Sequence, residues 1–194
     1  EEKKLSTTLN DFCKTRDMEI FIDKFQSIIN KYFDINSNKF PINIVRISHP
    51  KIKVNKLNWH QDEATWNHLP ECRKKFPFTF WAPLVSANFS SLAAETKPRN
   101  KIFYHSFSKF QGRFLGNYKS EKNNEVKIFN NAKEGDFVTF SSATYHKTWI
   151  DDQIISQSLD KEKNPLRISV DIRFVIPASK IINNSVKYSK RLAF

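Results

Sequence analysis

Glycine is nearly absent from this chain: among 194 residues only Gly112, Gly116 and Gly135 are glycine. Cradling a phosphate on backbone N–H groups takes several closely spaced glycines, so a P-loop and a GxGxxG dinucleotide turn are both excluded. Cysteine is equally scarce. Cys13 and Cys72 alone cannot build a disulfide framework or an all-thiolate zinc site, and so few thiols point to a reducing compartment. No apolar run approaches the roughly 20 residues that span a bilayer, and Glu1–Asn10 carries no secretory-signal pattern. The expectation is a cytoplasmic protein with no membrane partner. Internal repeats and low-complexity segments are missing as well.

Acidic residues are outnumbered, 20 Asp+Glu against 32 Lys+Arg, for a net charge of +12. Such an excess could serve an anionic partner: nucleic acid, a phosphorylated metabolite or a carrier domain. The lysines are spread along the chain without a dense basic block or a nucleic-acid motif. They read as a solvated surface, and nucleic acid is disfavoured as a partner.

What the chain does have is apolar and aromatic mass. Hydrophobic residues make up 39% and aromatics 14%, with 18 Phe, enough to fold as one domain over residues 1–194. Met18, Phe21, Ile22, Phe25, Ile28, Ile29 and Tyr32 recur at helical spacing and predict a helix over Arg16–Phe33, broken at Asn36–Asn38. Beyond it the chain reads as short strands: Phe40–Ser48, Ile52–Asn58, Phe76–Val85, Lys101–Phe107, Val126–Asn130, Asp136–Ser141 and Leu166–Ile176. Residues 1–39 thus form an N-terminal helical segment, 40–177 a β core and 178–194 a tail. The fold class is mainly β with flanking helices, a sandwich or barrel.

Three stretches carry chemistry. Trp59-His60-Gln61-Asp62-Glu63 sets a His and an Asp two residues apart, and in an extended chain both side chains reach the same face. A neutral imidazole nitrogen and a carboxylate oxygen suit a borderline metal such as iron(II). An HxD pair alone is common and unspecific. The second stretch begins at Gly135, runs through a strand and ends on His146. Further on, Leu166–Phe174 alternates strictly: Ile168, Val170, Ile172 and Phe174 share one face, and Arg167, Ser169, Asp171 and Arg173 the other. Polar groups on a buried strand face need partners, and an Arg with a Ser two residues on can grip a carboxylate.

HxD, a distal His and Arg-x-Ser on the last strand together resemble the iron(II)/2-oxoglutarate-dependent dioxygenases, most of all the phytanoyl-CoA dioxygenase-like branch. Phe80-Trp81-Ala82-Pro83-Leu84-Val85, followed by Asn88 and Leu92, is similar to that branch's W-x-P-L strand and the N-G-x-L turn after it. The likeness spans residues 40–174. It implies a double-stranded β-helix (jelly roll, cupin-like) and a facial triad of His60, Asp62 and His146 on the metal. It also implies Arg167 with Ser169 on the distal carboxylate of 2-oxoglutarate, and Trp81 near that cosubstrate. Arg173 shares the strand face and competes with Arg167 as anchor. The chain departs from the family pattern in three places. His146 and Arg167 are 21 positions apart, with polar Asp151–Pro165 reading as an inserted loop. Lys147-Thr148-Trp149 replaces the usual turn, and Asn88-Phe89-Ser90-Ser91-Leu92 lacks the turn glycine.

The resemblance implies a hydroxylase whose cofactor is iron(II) and whose cosubstrates are 2-oxoglutarate, decarboxylated to succinate, and dioxygen. Because Asp62 is present, hydroxylation or desaturation is expected and not halogenation. The expected partner is a small polar molecule of biosynthetic metabolism. Trp66, Tyr145 and Trp149 flank the site, and Arg113 and Lys147 could meet an anionic substrate. His68, with Glu71 and Cys72 nearby, is a rival ligand or a loop residue; His49 and His105 read as structural, and Phe76, Phe78 and Phe80 as core. Two other functions fit parts of the pattern. A cupin-like metal-dependent isomerase or lyase would need the triad without Arg167 or Ser169. A basic nucleic-acid-binding β-domain would use the aromatics as stacking platforms and leaves the triad unexplained.

Overall fold

A computed structural model describes residues 8, 11–50, 58–62, 64, 77–96, 106–108, 113–115, 125–155 and 166–176. Helix α1 spans Arg16–Phe33, as its periodicity predicts. Thr15 stops the chain from extending the helix backwards: its side chain accepts from the Met18 N–H at 3.3 Å, satisfying one of the orphan donors of the first turn. Asp17 and Glu19 in the first turn and Lys31 in the last complement the helix dipole. At the other end Asp34 adopts a left-handed conformation, φ 51°, which aspartate tolerates better than most residues. The buried ridge is narrower than the sequence pattern: Met18, Ile22 and Ile29 are buried, whereas Ile28 and Tyr32 are each 60% exposed. These two lie to one side of the ridge, about 100° and 60° round the helix from Ile29, where none of the described layers covers them.

The described strands are β1 (Asn38–Lys39), β2 (Ile44–Ser48), β3 (Pro77–Val85), β4 (Ser90–Glu95), β5 (Ser106–Ser108), β6 (Arg113–Leu115), β7 (Val126–Ile128), β8 (Val138–Ser141), β9 (His146–Ile150) and β10 (Arg167–Val175). All the pairings are antiparallel. The larger sheet is centred on β10, which has β3 on one side and β2 with β1 along the other; β8 lies beyond β3. The smaller sheet runs β7-β4-β9, and β5 pairs with β6 separately. The β10–β3 register slips between Ile168 and Ser169, where Pro83 faces Ser169. A bulge tolerates the missing proline donor there.

Each face of the larger sheet builds a different interior. On one, Val170, Ile172 and Phe174 of β10, Val45 of β2 and Phe80 of β3 pack with Met18, Ile22 and Ile29 of α1. Phe25 meets Phe80 edge-on at 5.7 Å, and Phe78 packs against the same core. On the other, Trp81, Val138 and Phe140 meet Leu92 of the smaller sheet. The polar set of β10 points into that second space.

Four strands escaped the sequence pattern: the two-residue β1, and β4, β6 and β9. The segment expected as a turn is one only at Asn88–Phe89; from Ser90 onward it is strand, with all six residues of β4 buried. Lys147-Thr148-Trp149 is likewise strand, the middle of β9. Buried small residues give neither alternation nor β-branched enrichment, so β4 looks like a turn. Asp151, the start of the expected inserted loop, instead opens a helical turn, accepting from the N–H groups of Gln153 (2.9 Å) and Ile154 (3.0 Å). The expected strand Ile52–Asn58 lies outside the described residues except for Asn58, as do residues 101–105 and the tail 178–194. Among the described residues no helix is long and apolar enough to cross a membrane.

Candidate metal centre

The pairing of two short segments sets the site. His60 and His146 sit opposite each other and exchange both backbone hydrogen bonds, at 2.9 and 3.0 Å. Their rings therefore lie side by side, centroids 4.2 Å apart. Each imidazole is fixed in the same way: its Nδ1 lies against the carbonyl two residues earlier, Asn58 O at 2.8 Å and Thr144 O at 3.0 Å. A carbonyl only accepts, so each Nδ1 holds the proton and each Nε2 keeps its lone pair. Trp59 stacks on Tyr145 at 5.7 Å, and Gln61 donates to the Ala143 carbonyl at 2.8 Å, locking the two segments together.

The chain is not extended through the HxD motif. His60 is in a bridge, but Asp62 already lies in a helical turn. That turn still brings its carboxylate to the imidazoles: Asp62 Oδ1 is 3.9 Å from His60 Nε2 and 3.8 Å from His146 Nε2. All three ligand atoms lie within 4.8 Å of one another, and all three residues are buried. The other carboxylate oxygen is occupied from the opposite side. Asp62 Oδ2 accepts from the Thr79 hydroxyl at 2.6 Å and from Arg173 Nε at 3.0 Å. One oxygen thus faces the histidines while the second is held by the larger sheet.

The charges follow from this arrangement. Burial alone would raise the Asp62 carboxyl; Arg173 first, then the two imidazoles and the Thr79 hydroxyl, overcome it and hold the group well below the usual carboxylate range. Burial lowers both histidines, His60 the further because the neighbouring His146 adds to the fall. Two neutral imidazoles and one ionised carboxylate are the protonation states a divalent cation needs.

The two histidines open on a cleft continuous with solvent, whose wall includes His60, His146, Trp81, Arg46, Lys147 and Arg167. Arg167 is 2% exposed, donates from Nη2 to Ser48 Oγ at 2.8 Å and sits 5.9 Å from the Trp81 ring. Burial lowers its guanidinium to about 10, opposed by Asp171 and assisted by Arg46, so it is charged at neutral pH. Its Nε and the Ser169 hydroxyl are buried without a hydrogen-bond partner among the described residues, an uncommon cost in a folded interior. Arg173, the competing anchor, is engaged elsewhere: besides Asp62 it donates to the Ile42 carbonyl at 3.3 Å and lies 3.5 Å from Asp171.

His60, Asp62, His146, Trp81, Arg167 and Ser169 therefore share one region. Lys147 lines the cavity, Tyr145 is buried beneath Trp59, and Trp149 is on β9, opposite Ser91. His49 is half-buried at the end of β2. Trp66, His68, Glu71, Cys72, Phe76 and His105 lie outside the described residues, as does the side chain of Arg113. Sequence reasoning missed Thr79 and Arg46. Arg46 had a signal, a lone charge within the apolar run Ile44–Ser48; Thr79, an ordinary strand residue, had none.

No family model and no curated protein matches the chain by sequence. Among solved structures, the epimerase SnoN in complex with Fe3+, alpha ketoglutarate and nogalamycin RO has a similar fold, with a TM-score of 0.51 and 11% identity. The likeness covers 83% of this chain and 59% of that one, so this chain spans about three-fifths of the solved protein's length. The two share a fold.

Proposed function

We propose that the chain is an iron(II)- and 2-oxoglutarate-dependent oxygenase of the phytanoyl-CoA dioxygenase-like branch, its two sheets forming a double-stranded β-helix, and that it hydroxylates a small molecule. One observation carries the reading: His60, Asp62 and His146 bring one ligand atom each within 4.8 Å of one another, beside a cavity lined by both histidines and by Arg167. The residues fit the groups they would bind. Two imidazole nitrogens and a carboxylate oxygen are the donor set of facial iron(II) sites with open positions. The unpartnered Arg167 Nε and Ser169 Oγ are the donors a distal carboxylate would take up.

Bound there, iron(II) and 2-oxoglutarate would supply dioxygen activation and oxidative decarboxylation to succinate. The protein's own share is positional. The Asn58 and Thr144 carbonyls hold both imidazoles with Nε2 free to ligate. Arg173 and Thr79 take one Asp62 oxygen and leave the other for the metal. Trp81 and Ser48 hold Arg167 in place, and Phe140, against His146 at 4.5 Å, keeps water from that side of the ring.

The test is succinate release by purified protein supplied with iron(II), 2-oxoglutarate and air. Succinate above the metal-free control supports the reading. A protein that neither binds 2-oxoglutarate nor releases succinate belongs instead with cupin-like isomerases or lyases. Inversion at a carbon centre is a second outcome of the same chemistry, favoured by the fold likeness to an epimerase. Product mass separates the two, since hydroxylation adds an oxygen atom and epimerisation adds none.

A further inference from the structure

Arg46 is assigned no part in the proposed metal and cosubstrate sites, yet it shares a cavity with residues of both. It lines the cavity beside the triad, with its side chain 12% exposed. It comes from the interior face of β2, opposite Ser169 in register. Its Nε is paired with Asp171 Oδ2 at 2.7 Å, while its two Nη groups have no hydrogen-bond partner among the described residues. Asp171 is shared: Arg173 Nη2 lies 3.5 Å from the same oxygen. One carboxylate thus serves two guanidiniums, and Arg46 keeps a fork of donors facing the open volume. Lys147, on the facing sheet, adds a second cation to that wall; its Nζ lies 5.2 Å above the Trp59 ring.

The charge balance points the same way. Among the described residues that line the cavity or pair with Asp62, the cations Arg46, Lys147, Arg167 and Arg173 are set against the carboxylates Asp62 and Asp171, which leaves two positive charges. A divalent metal and a doubly negative cosubstrate cancel each other and leave that surplus in place. Such a surplus, carried mostly by buried guanidiniums, raises the local potential and attracts an anion.

We propose that Arg46, assisted by Lys147, is the recognition site for an oxyanion on the primary substrate, a carboxylate or phosphate that the guanidinium fork grips while Arg167 holds the cosubstrate. This rests on the oxygenase reading for the role of Arg167. Arg46 is a binding residue held ready by Asp171, and the substrate class is an anionic small molecule.

Calorimetric titration of the anaerobic iron(II)-loaded full chain tests it, using benzoate, phenyl phosphate and neutral benzamide, each with and without saturating 2-oxoglutarate. The unaltered chain is expected to bind at least one of the two anions about tenfold more tightly than benzamide, and the better anion identifies the headgroup. Arg46→Gln should erase that preference and change 2-oxoglutarate affinity less than about threefold. Arg167→Gln should do the reverse. Arg46→Lys, which keeps the charge but not the fork, should retain a reduced preference, and it decides the matter if circular dichroism shows Arg46→Gln unfolded. Benzamide binding as tightly as both anions overturns the proposal. So does Arg46→Gln weakening 2-oxoglutarate as much as Arg167→Gln, which would make Arg46 a second cosubstrate clamp. If the unaltered chain binds no 2-oxoglutarate, the oxygenase reading fails, while the titrations without it still decide for or against Arg46.

Discussion

Strand β10 presents two faces made of interleaved residues, and they are stabilised in opposite ways. Ile168, Val170, Ile172 and Phe174 pack toward α1. That face is held by contact area, so volume and shape matter and the particular partner matters little. Arg167, Ser169, Asp171 and Arg173 point between the sheets, where each charged group is held by a named partner: Arg173 by Asp62, Asp171 by Arg46, Arg167 by Ser48. Removing one member of such a set strands another in a dry interior. One strand therefore does two jobs, with the apolar face anchoring it so that the other can carry a highly charged site.

The sharpest way to break this contrast is at Asp62. Asp62→Ala removes the proposed carboxylate ligand and takes from Arg173 Nε and the Thr79 hydroxyl the oxygen to which both donate. We expect iron(II) affinity, measured by calorimetry, to fall more than about a hundredfold and 2-oxoglutarate-dependent succinate release to cease. Unchanged succinate production would remove Asp62 from the metal site.

Arg173→Met probes the same pair from the side that never touches the metal. Asp62 would keep only the Thr79 hydroxyl. The expected loss is about 10- to 100-fold in metal affinity and about 3–5 kcal/mol in apo-protein stability. Added iron(II) should recover part of that stability, because the cation supplies the missing positive charge. Ile172→Ala on the opposite face, at a residue with 0% exposure, should cost about 3 kcal/mol in urea unfolding and leave metal affinity unchanged. A loss of metal affinity in Ile172→Ala as large as in Arg173→Met would show the two faces to be one unit.

Acid separates the faces without a mutation. His60 and His146 have folded-state pKa values below the ordinary one, so the fold favours their neutral forms. Their contribution to stability is complete above about pH 6.5, the unfolded value. It is lost as the pH falls through the folded values, by up to about 1.4 kcal/mol per pH unit for each imidazole. Asp62, with its pKa depressed, adds its own loss only at still lower pH. Melting temperatures of the metal-free protein between pH 7 and 5 should fall, and the decline should flatten in a His60→Gln, His146→Gln double variant. A melting temperature flat across that range in the unaltered protein would mean the imidazoles are not buried neutral.

How much of this was legible in the sequence differs by face as well. The apolar side announces itself, because helical periodicity over Arg16–Phe33 and strict alternation over Leu166–Phe174 are local patterns. The polar side is legible only in part. His60, Asp62, His146 and Arg167 stand out through residue type and order. Their supports do not, since Arg46 finds Asp171 at a separation of 125 residues and Arg173 finds Asp62 at 111. Arg173 illustrates the limit. As a sequence it competes with Arg167 for the same role, and only its geometry shows that it serves the ligand carboxylate. Strand β4 was hidden for another reason: being buried on both faces, its small and polar residues follow no alternation.

The smallest expected effect tests whether the apolar face can be weakened while the site stays intact. Thr15 caps α1 through its bond to the Met18 N–H, and Met18 belongs to the core that β10 shares with the helix. Thr15→Ala leaves that donor to water and should cost about 1 kcal/mol of stability, read as a shift in the urea midpoint. Since the cap contacts nothing between the sheets, iron(II) and 2-oxoglutarate affinities should be unchanged at temperatures where the protein stays folded. A cap variant that loses cosubstrate affinity in proportion to its stability would mean that α1 sets the geometry of Arg167 through β10, and that the strand's two faces are not independent.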